Sequence, residues 1–211
     1  MDAFGADDDS EQLKAWLRQN GSYILYAIVF GLAAAFGIRY WRTHEEQARL
    51  ASASIYAETL EWYQQGNRAA VDVATRKLQQ HYQRSPYAAL AALLDARLAY
   101  KAGDLNAAVQ SLTWASRHAR GPGVGAIARL RLASVLIERH QPVAALAVVQ
   151  GKPPAGFTAP YEETRGDALL LEGHPRAART AYQAALSHVA ATSRAAGILH
   201  MKLDDLVGAA A

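Results

Sequence analysis

The chain contains no cysteine. That excludes a disulfide scaffold, a thiol nucleophile and any thiolate metal site, but it leaves the compartment open, because exported proteins can also lack cysteine. Glycine and proline are sparse, at 15 and 7 of 211 residues, and 51% of the chain is hydrophobic. Neither a collagen-like nor a disordered chain has that balance. Charged residues make up 19%, for a formal net charge of +3. No cluster of Lys and Arg tracks a phosphate backbone, so a nucleic-acid partner is not expected. Alanine dominates instead, with long Leu/Ala/Arg/Gln stretches and few β-branched clusters, a composition that predicts helix nearly everywhere. The fold class expected is all-α.

Chemistry is also scarce. His44, His81, His118, His140, His174, His188 and His200 show no ligand spacing, so no metal is expected. Gly121-Pro122-Gly123-Val124-Gly125 resembles a phosphate loop only faintly, lacks the following Lys-Ser/Thr, and reads as a linker between repeats. No G-x-S-x-G element is present. Asp95 and Asp167 are read as recurring at equivalent repeat positions and are expected to face solvent or a groove. The chain offers no catalytic candidate and no cofactor site, so it is not expected to be an enzyme.

Charge is unevenly placed: residues 1–21 carry −3 and the remainder +6. Between Arg18 and Arg39 lie twenty uncharged residues, of which 23–38 read YILYAIVFGLAAAFGI. A helix needs ~20 residues, and at least ~17, to cross the hydrocarbon core. Including Gly21 and Ser22, the segment is long enough. Tyr23 and Tyr26 at one end and Tyr40 and Trp41 at the other suit the headgroup region, and Arg39 and Arg42 can snorkel outward. A buried core helix fits such a length less well. A cleaved signal peptide ending near Ala33-Ala34-Ala35 would want a basic head rather than this acidic one. The organisation expected is a short cytoplasmic segment over 1–21, a transmembrane anchor over 22–42, and a repeat domain over 43–211. Leu13, Trp16 and Leu17 form a short amphipathic turn ahead of the span. Ala27, Gly31 and Ala35 recur every four residues and present a small-residue face for another membrane helix, or reflect an alanine-rich composition. Orientation is not fixed by charge: Lys14 and Arg18 precede the span, and Arg39, Arg42 and Arg49 follow it, leaning weakly toward a cytoplasmic repeat domain.

From Thr43 onward the sequence repeats. Leu94–Ala115, Arg131–Gln150 and Thr164–Leu186 align on small residues (Ala96, Ala133, Gly166), turns (Gly103-Asp104, His140-Gln141-Pro142, Gly173-His174-Pro175) and a second helix with Ala108, Ala145 and Ala178, each followed four residues on by Leu112, Val149 and Tyr182. Gly103, His140 and Gly173 are 37 and 33 residues apart, bracketing the ~34-residue period of tetratricopeptide repeats. A fourth, worn unit precedes them, with Tyr56, Leu60 and Tyr63, then Gly66-Asn67, then Val71 to Tyr82. Thr192 to Val207 carries Ile198, Leu199, Leu203 and Leu206 as the stripe of a capping helix. The first helices of such a solenoid should line its binding groove. By register Arg97, Tyr100, Lys101, Arg131, Ile137, Asp167 and Leu170 are the expected partner-binding positions.

Anchor and repeats together resemble the YfgM-type family of ancillary subunits of the bacterial SecYEG translocon. The residues that carry the likeness are EQLKAWLRQNGSYILYAIVFGLAAAFGIRYWR (11–42), with Asn20-Gly21, Gly31-Leu32, Gly37 and Arg39-Tyr40-Trp41; ASASIYAETL (51–60); SPYAALAALLDARLAYKAGDLNAAV (85–109); RGDALLLEGHPRAARTAYQAAL (165–186); and HMKLDDL (200–206). The resemblance implies an inner-membrane protein with a cytoplasmic N-terminus and periplasmic repeats. It also implies association with the SecYEG translocon and with a membrane-anchored periplasmic chaperone or prolyl-isomerase-like factor. Two alternatives are a cytoplasm-facing adaptor or scaffold of a different inner-membrane complex, and an enzyme-associated lipid or cell-wall factor whose repeats scaffold a catalytic partner.

Overall fold

The structure, a computed structural model, describes residues 6–208. Many side chains of residues 6–44 lie outside the described set, including those of Leu13, Leu17, Ala27, Gly37, Tyr40, Trp41 and Arg42, on which parts of the anchor reading rest. Nine helices and no strand make up the described chain: α1 (Ala6–Gln64), α2 (Arg68–His81), α3 (Pro86–Lys101), α4 (Leu105–His118), α5 (Pro122–Glu138), α6 (Pro142–Val148), α7 (Thr158–Leu171), α8 (Pro175–Leu186) and α9 (Arg194–Gly208). The chain divides into two compact units, Met1–Arg49 and Leu50–Ala211. Among the described residues no helix is long and apolar enough to cross a membrane.

In the second unit, consecutive helices pair and the first helices of successive pairs also touch, α3 with α5 and α5 with α7. This is the packing of an α-solenoid, in which each repeat contacts only its neighbours. One hydrogen-bond pattern closes four of its turns. Asn67, Asp104, Gln141 and His174 each donate a backbone N–H to the carbonyl five residues back, Trp62, Ala99, Leu136 and Leu169, all at 2.9 Å. The preceding residue donates to Tyr63, Tyr100, Ile137 and Leu170 at 2.9–3.1 Å. These paired bonds define the Schellman ending, which needs a left-handed residue where the helix stops. Gly66, Gly103 and Gly173 supply it, with φ of 71°, 77° and 87°; the third turn uses His140 at φ 55°. Among the described residues His140 is the only non-glycine with positive φ. A Cβ there costs ~1–2 kcal/mol, so His140→Gly is expected to raise stability by up to ~1 kcal/mol, read as the thermal midpoint. The glycine's own unfolded-state entropy offsets part of the gain.

The next helix starts in one of two ways. Asn67 and Asp104 cap α2 and α4 by accepting from the N–H of Ala70 (3.2 Å) and Ala107 (3.0 Å). Gln141 and His174 make no such bond, and a proline in the first turn stands in, its missing N–H being one the helix would leave unpaired.

The expected crossing points are buried. Ala108, Ala133, Ala145, Ala178 and Val149 are inaccessible, and Leu112, Tyr182 and Ala96 nearly so. At Gly166 a Cβ would clash with Cε1 of Tyr182, so the ring occupies space that only a glycine leaves. In α9, Leu199 and Leu206 join Ala178, Tyr182 and Ala185, closing the C-terminal end.

Two expectations are corrected. The stretch 121–125 is no linker: only Gly121 lies outside helix, and Pro122 begins α5, with Gly125 buried against Ala119. Proline at the first position and the absence of any clash let so glycine-rich a turn go helical. Asp95 does not face solvent or a groove; it is 6% exposed, and Ser111 Oγ of α4 donates to it. Aligned on the small residues, Asp95 precedes Ala96 whereas Asp167 follows Gly166, so the two carboxylates sit on different helix faces.

Candidate functional site

In α3, Ala96 and Arg97 stand three and four residues after Leu93 and four and three before Tyr100; in α5, Ser134 and Val135 stand likewise between Arg131 and Glu138. Such spacing puts each set on a single helix face. The stacking of α3 on α5 turns the two faces toward each other around a cavity of about 280 Å³. Its floor is apolar and buried, from Leu93, Ala96, Val135 and, from α4, Leu112. Its rim is polar: Arg97, Tyr100, Arg131, Ser134 and Glu138. The volume falls just below that of pockets for drug-sized molecules, ~300–1,000 Å³, and suits one or two protein side chains.

Electrostatics give the rim a sign. The Tyr100 hydroxyl pairs with the Glu138 carboxylate, whose hydrogen bond and charge hold the phenol above its ordinary pKa. That contact uses the one carboxylate on the rim. Arg97 and Arg131 are exposed and have no hydrogen-bond or ion-pair partner among the described residues. The cleft is therefore an apolar pocket beside two free guanidinium groups, an arrangement that receives an apolar side chain and a carboxylate together.

Of the seven positions expected at the groove, Arg97, Tyr100 and Arg131 share this cleft. Lys101 is exposed but lies outside it, and Ile137 is half-buried against the core. Leu170 is 42% exposed on α7, away from the lining. Asp167 belongs elsewhere, accepting from the Tyr182 hydroxyl at 2.9 Å and from Lys202 Nζ at 2.6 Å, while Lys202 also reaches Glu163 at 2.8 Å. Burial opposes the Lys202 charge, but the two carboxylates outweigh it and its pKa stands raised; burial and then Asp167 push the Tyr182 phenol up. This cluster ties α9 to the last hairpin. Ser134 and Glu138 were not singled out by the sequence, although they stand three and seven residues beyond Arg131, the interval that marks a shared face.

Beneath the second hairpin, burial raises the pKa of Asp95, with Asp72 adding to the effect; the Ser111 hydrogen bond and the charges of Arg68 and Arg76 only partly oppose it. A raised carboxyl pKa means that ionisation opposes folding. The contribution of Asp95 is thus intact below the ordinary carboxylate range and is lost as pH rises through the raised value. Asp95→Asn is expected to raise the thermal midpoint at neutral pH, with the gap to the parent closing on acidification. A gap independent of pH would trace the effect to the Ser111 contact instead of to charge.

The model of the tetratricopeptide repeat-like domain family matches residues 14–208. A protein of Haemophilus influenzae named ancillary SecYEG translocon subunit is 29% identical over 185 residues, covering 87% of this chain and 90% of its own length. Proteins of the same name from Escherichia coli and Neisseria gonorrhoeae are each 25% identical, covering 95% and 93% of this chain and 96% and 94% of theirs. No solved structure matches the chain.

Proposed function

We propose, for a chain that belongs to the tetratricopeptide repeat-like domain family, that it serves as a membrane-anchored ancillary subunit of the Sec translocon and works by binding proteins, not by catalysis. The observation that carries this reading is the extent of the likeness. Relatives named ancillary SecYEG translocon subunits align with both the N-terminal helix and the repeats, over 87–97% of the chain.

The anchor is residues 22–42. Tyr23, Tyr26, Val29, Phe30, Leu32 and Phe36 are all exposed, up to 78% at Phe30, as are Gly31 and Ala35. At ~100° per residue these eight positions encircle α1, and a helix apolar on every side needs a non-aqueous surround. Gly31 and Ala35, with Ala27, then offer a close-approach face to a neighbouring membrane helix. The resemblance to the ancillary translocon subunits supports repeats in the periplasm and the acidic head in the cytoplasm, and the charge count does not oppose it, because a long domain translocates largely regardless of its charges. The cleft of Arg97, Tyr100 and Arg131 takes a partner segment, that of a translocon component or of a membrane-anchored periplasmic chaperone or prolyl-isomerase-like factor.

Protease added to spheroplasts tests the topology: degradation of 43–211 supports a periplasmic domain, and protection means a cytoplasm-facing adaptor. For the cleft, Arg97→Glu combined with Arg131→Glu in the full chain is expected to reduce co-purification with SecYEG and its periplasmic partners by about tenfold or more. Helicity and thermal midpoint should stay unchanged, because both side chains are exposed and unpaired. A folded double variant that still captures its partners would sink the assignment of the cleft.

A further inference from the structure

The four hairpins of the repeat unit are alike, and what covers one shows what the same surface on another is shaped to receive. Counted from the left-handed turn residue, Ile55 and Trp62 of α1 correspond to Ala92 and Ala99 of α3, and Glu58 to Asp95. In the second hairpin all three are buried, Ala92 and Ala99 completely. Ala92 packs with Leu112 and Ala115 of the same hairpin's α4 and Asp95 accepts from Ser111 of α4; the side that α4 leaves is covered by α2, the second helix of the repeat before. It packs along α3, Leu78 enters a cluster with Ala88 and Ala91, and Arg68 reaches across to the Asp104 carboxylate at 2.6 Å. The third hairpin is the same: Leu132 and Leu136 of α5, the counterparts of Glu58 and Trp62, are buried in one cluster with Leu112 and Ala115 of α4.

The first hairpin has no repeat before it. Its corresponding surface is an open groove of about 490 Å³ between the C-terminal part of α1 and α2, lined by Ile55, Glu58, Trp62, Ala70, Val73 and Lys77 among others. Val73 is 61% exposed. The other end of the solenoid is closed by α9, whose outer face is mainly polar. A solenoid end normally carries such a cap, and among the described residues of the repeat unit none stands on this groove.

We propose that this groove is the docking site for one amphipathic helix of a different protein, seated as the missing second helix of a preceding repeat. The internal copies specify its chemistry. The helices that fill the equivalent grooves bury small and medium side chains at i, i+4 and i+7: Val71, Thr75 and Leu78 in α2, apolar but for the Thr75 hydroxyl, and Ala108, Leu112 and Ala115 in α4. A partner helix carries the same face, flanked by a basic residue toward Glu58 and an acidic one toward Lys77. A second copy of this chain does not fit, because two identical grooves present no ridge to each other and α9 offers no apolar face. The inference uses only the internal repetition and stands apart from the function proposed above.

The test places a photoreactive amino acid at Ala69, an exposed edge position, in the full chain in its native membrane, and sequences the cross-linked peptide. The expected adduct is to a segment of another protein with apolar residues at i, i+4 and i+7. Val73→Glu, on an exposed side chain that leaves the core untouched, is expected to cut its yield about tenfold, a loss equivalent to a typical desolvated charge at an interface. Adducts to another copy of this chain, to segments without that spacing, or unaffected by Val73→Glu in a protein of unchanged thermal midpoint would overturn the proposal, as would the absence of any adduct.

Discussion

Tyr182→Ala is expected to cost the repeat unit about 3–5 kcal/mol, the range for truncating a large buried aromatic to alanine. Tyr182 is 1% exposed and packs with Ala178, Ala185, Leu199 and Leu206. Its ring occupies the space left by Gly166, its hydroxyl donates to Asp167, and Lys202 Nζ stands 5.5 Å from the ring centre. Truncation opens a cavity where α7, α8 and α9 meet and leaves Asp167 with Lys202 alone. Tyr182→Phe keeps the ring and removes one hydrogen bond to a charged group, so its cost should be ~1.5–3 kcal/mol. The measurement is denaturant unfolding of each variant, with the slope compared so that a change in the unfolded ensemble is recognised. Equal costs for Phe and Ala would show that the hydroxyl, and not the packing, holds the C-terminal end.

Gly166→Ala should lower stability by ~1–3 kcal/mol, the usual penalty of overpacking. In an open helix the same change would raise it by up to ~1 kcal/mol, because alanine is the better helix former. Here the new Cβ would meet Cε1 and Cδ1 of Tyr182 at 2.3 and 2.5 Å, and the ring is pinned by its hydroxyl and cannot swing away. A Cβ added at Gly197 in α9 would meet nothing within 4 Å, so Gly197→Ala should stabilise. At ~2–4 °C per kcal/mol for a chain of this size, the two substitutions move the thermal midpoint in opposite directions. In a Tyr182→Leu background the penalty at Gly166 should disappear and its sign reverse, the non-additivity expected of two residues in contact. Additive effects would mean that the clash is relieved elsewhere.

The repeat was legible because its turns and crossings depend on residue types that stand out. Gly66, Gly103 and Gly173 announce helix endings, and alanines four residues before a large apolar side chain announce close crossings. His140 was readable at its turn only by alignment with them, since nothing about histidine itself demands a left-handed backbone. Gly121–Gly125 misled because glycine signals a turn by propensity, while Pro122 at a helix start and the packing against Ala119 decided otherwise. Asp95 misled for a related reason: a carboxylate is an outward-facing residue on average, and its burial depends on α2 lying over α3, a tertiary fact.

The cleft was half legible. Register along α3 located Arg97 and Tyr100, and along α5 it located Arg131. Which residues of α5 face α3 depends on how the two helices are rotated about their axes, and that is set by the packing of Leu93, Leu112 and Val135. Small errors in that rotation moved Ile137 into the expected groove and left out Glu138, its neighbour. The apolar groove of the first hairpin had no local signal at all. It is defined by the helix that the first repeat lacks, and only comparison among the folded copies brings it out.

The brevity of α6 has a mechanical consequence. Seven residues make two turns, far below the length at which a helix holds itself together in water. It has no side-chain cap and only Ala145 buried along its length, and the chain then leaves through Gly151 and Gly156, both in left-handed conformations. Every other second helix has at least twelve residues. In a one-dimensional stack the weakest junction sets where cooperativity breaks. The stack is therefore expected to open first at α6, even though Ala145 and Val149 belong to the hydrophobic cluster that runs from α3 to α7. Amide hydrogen exchange is expected to be faster along α6 than along α5 or α8, the signature of local opening at that junction.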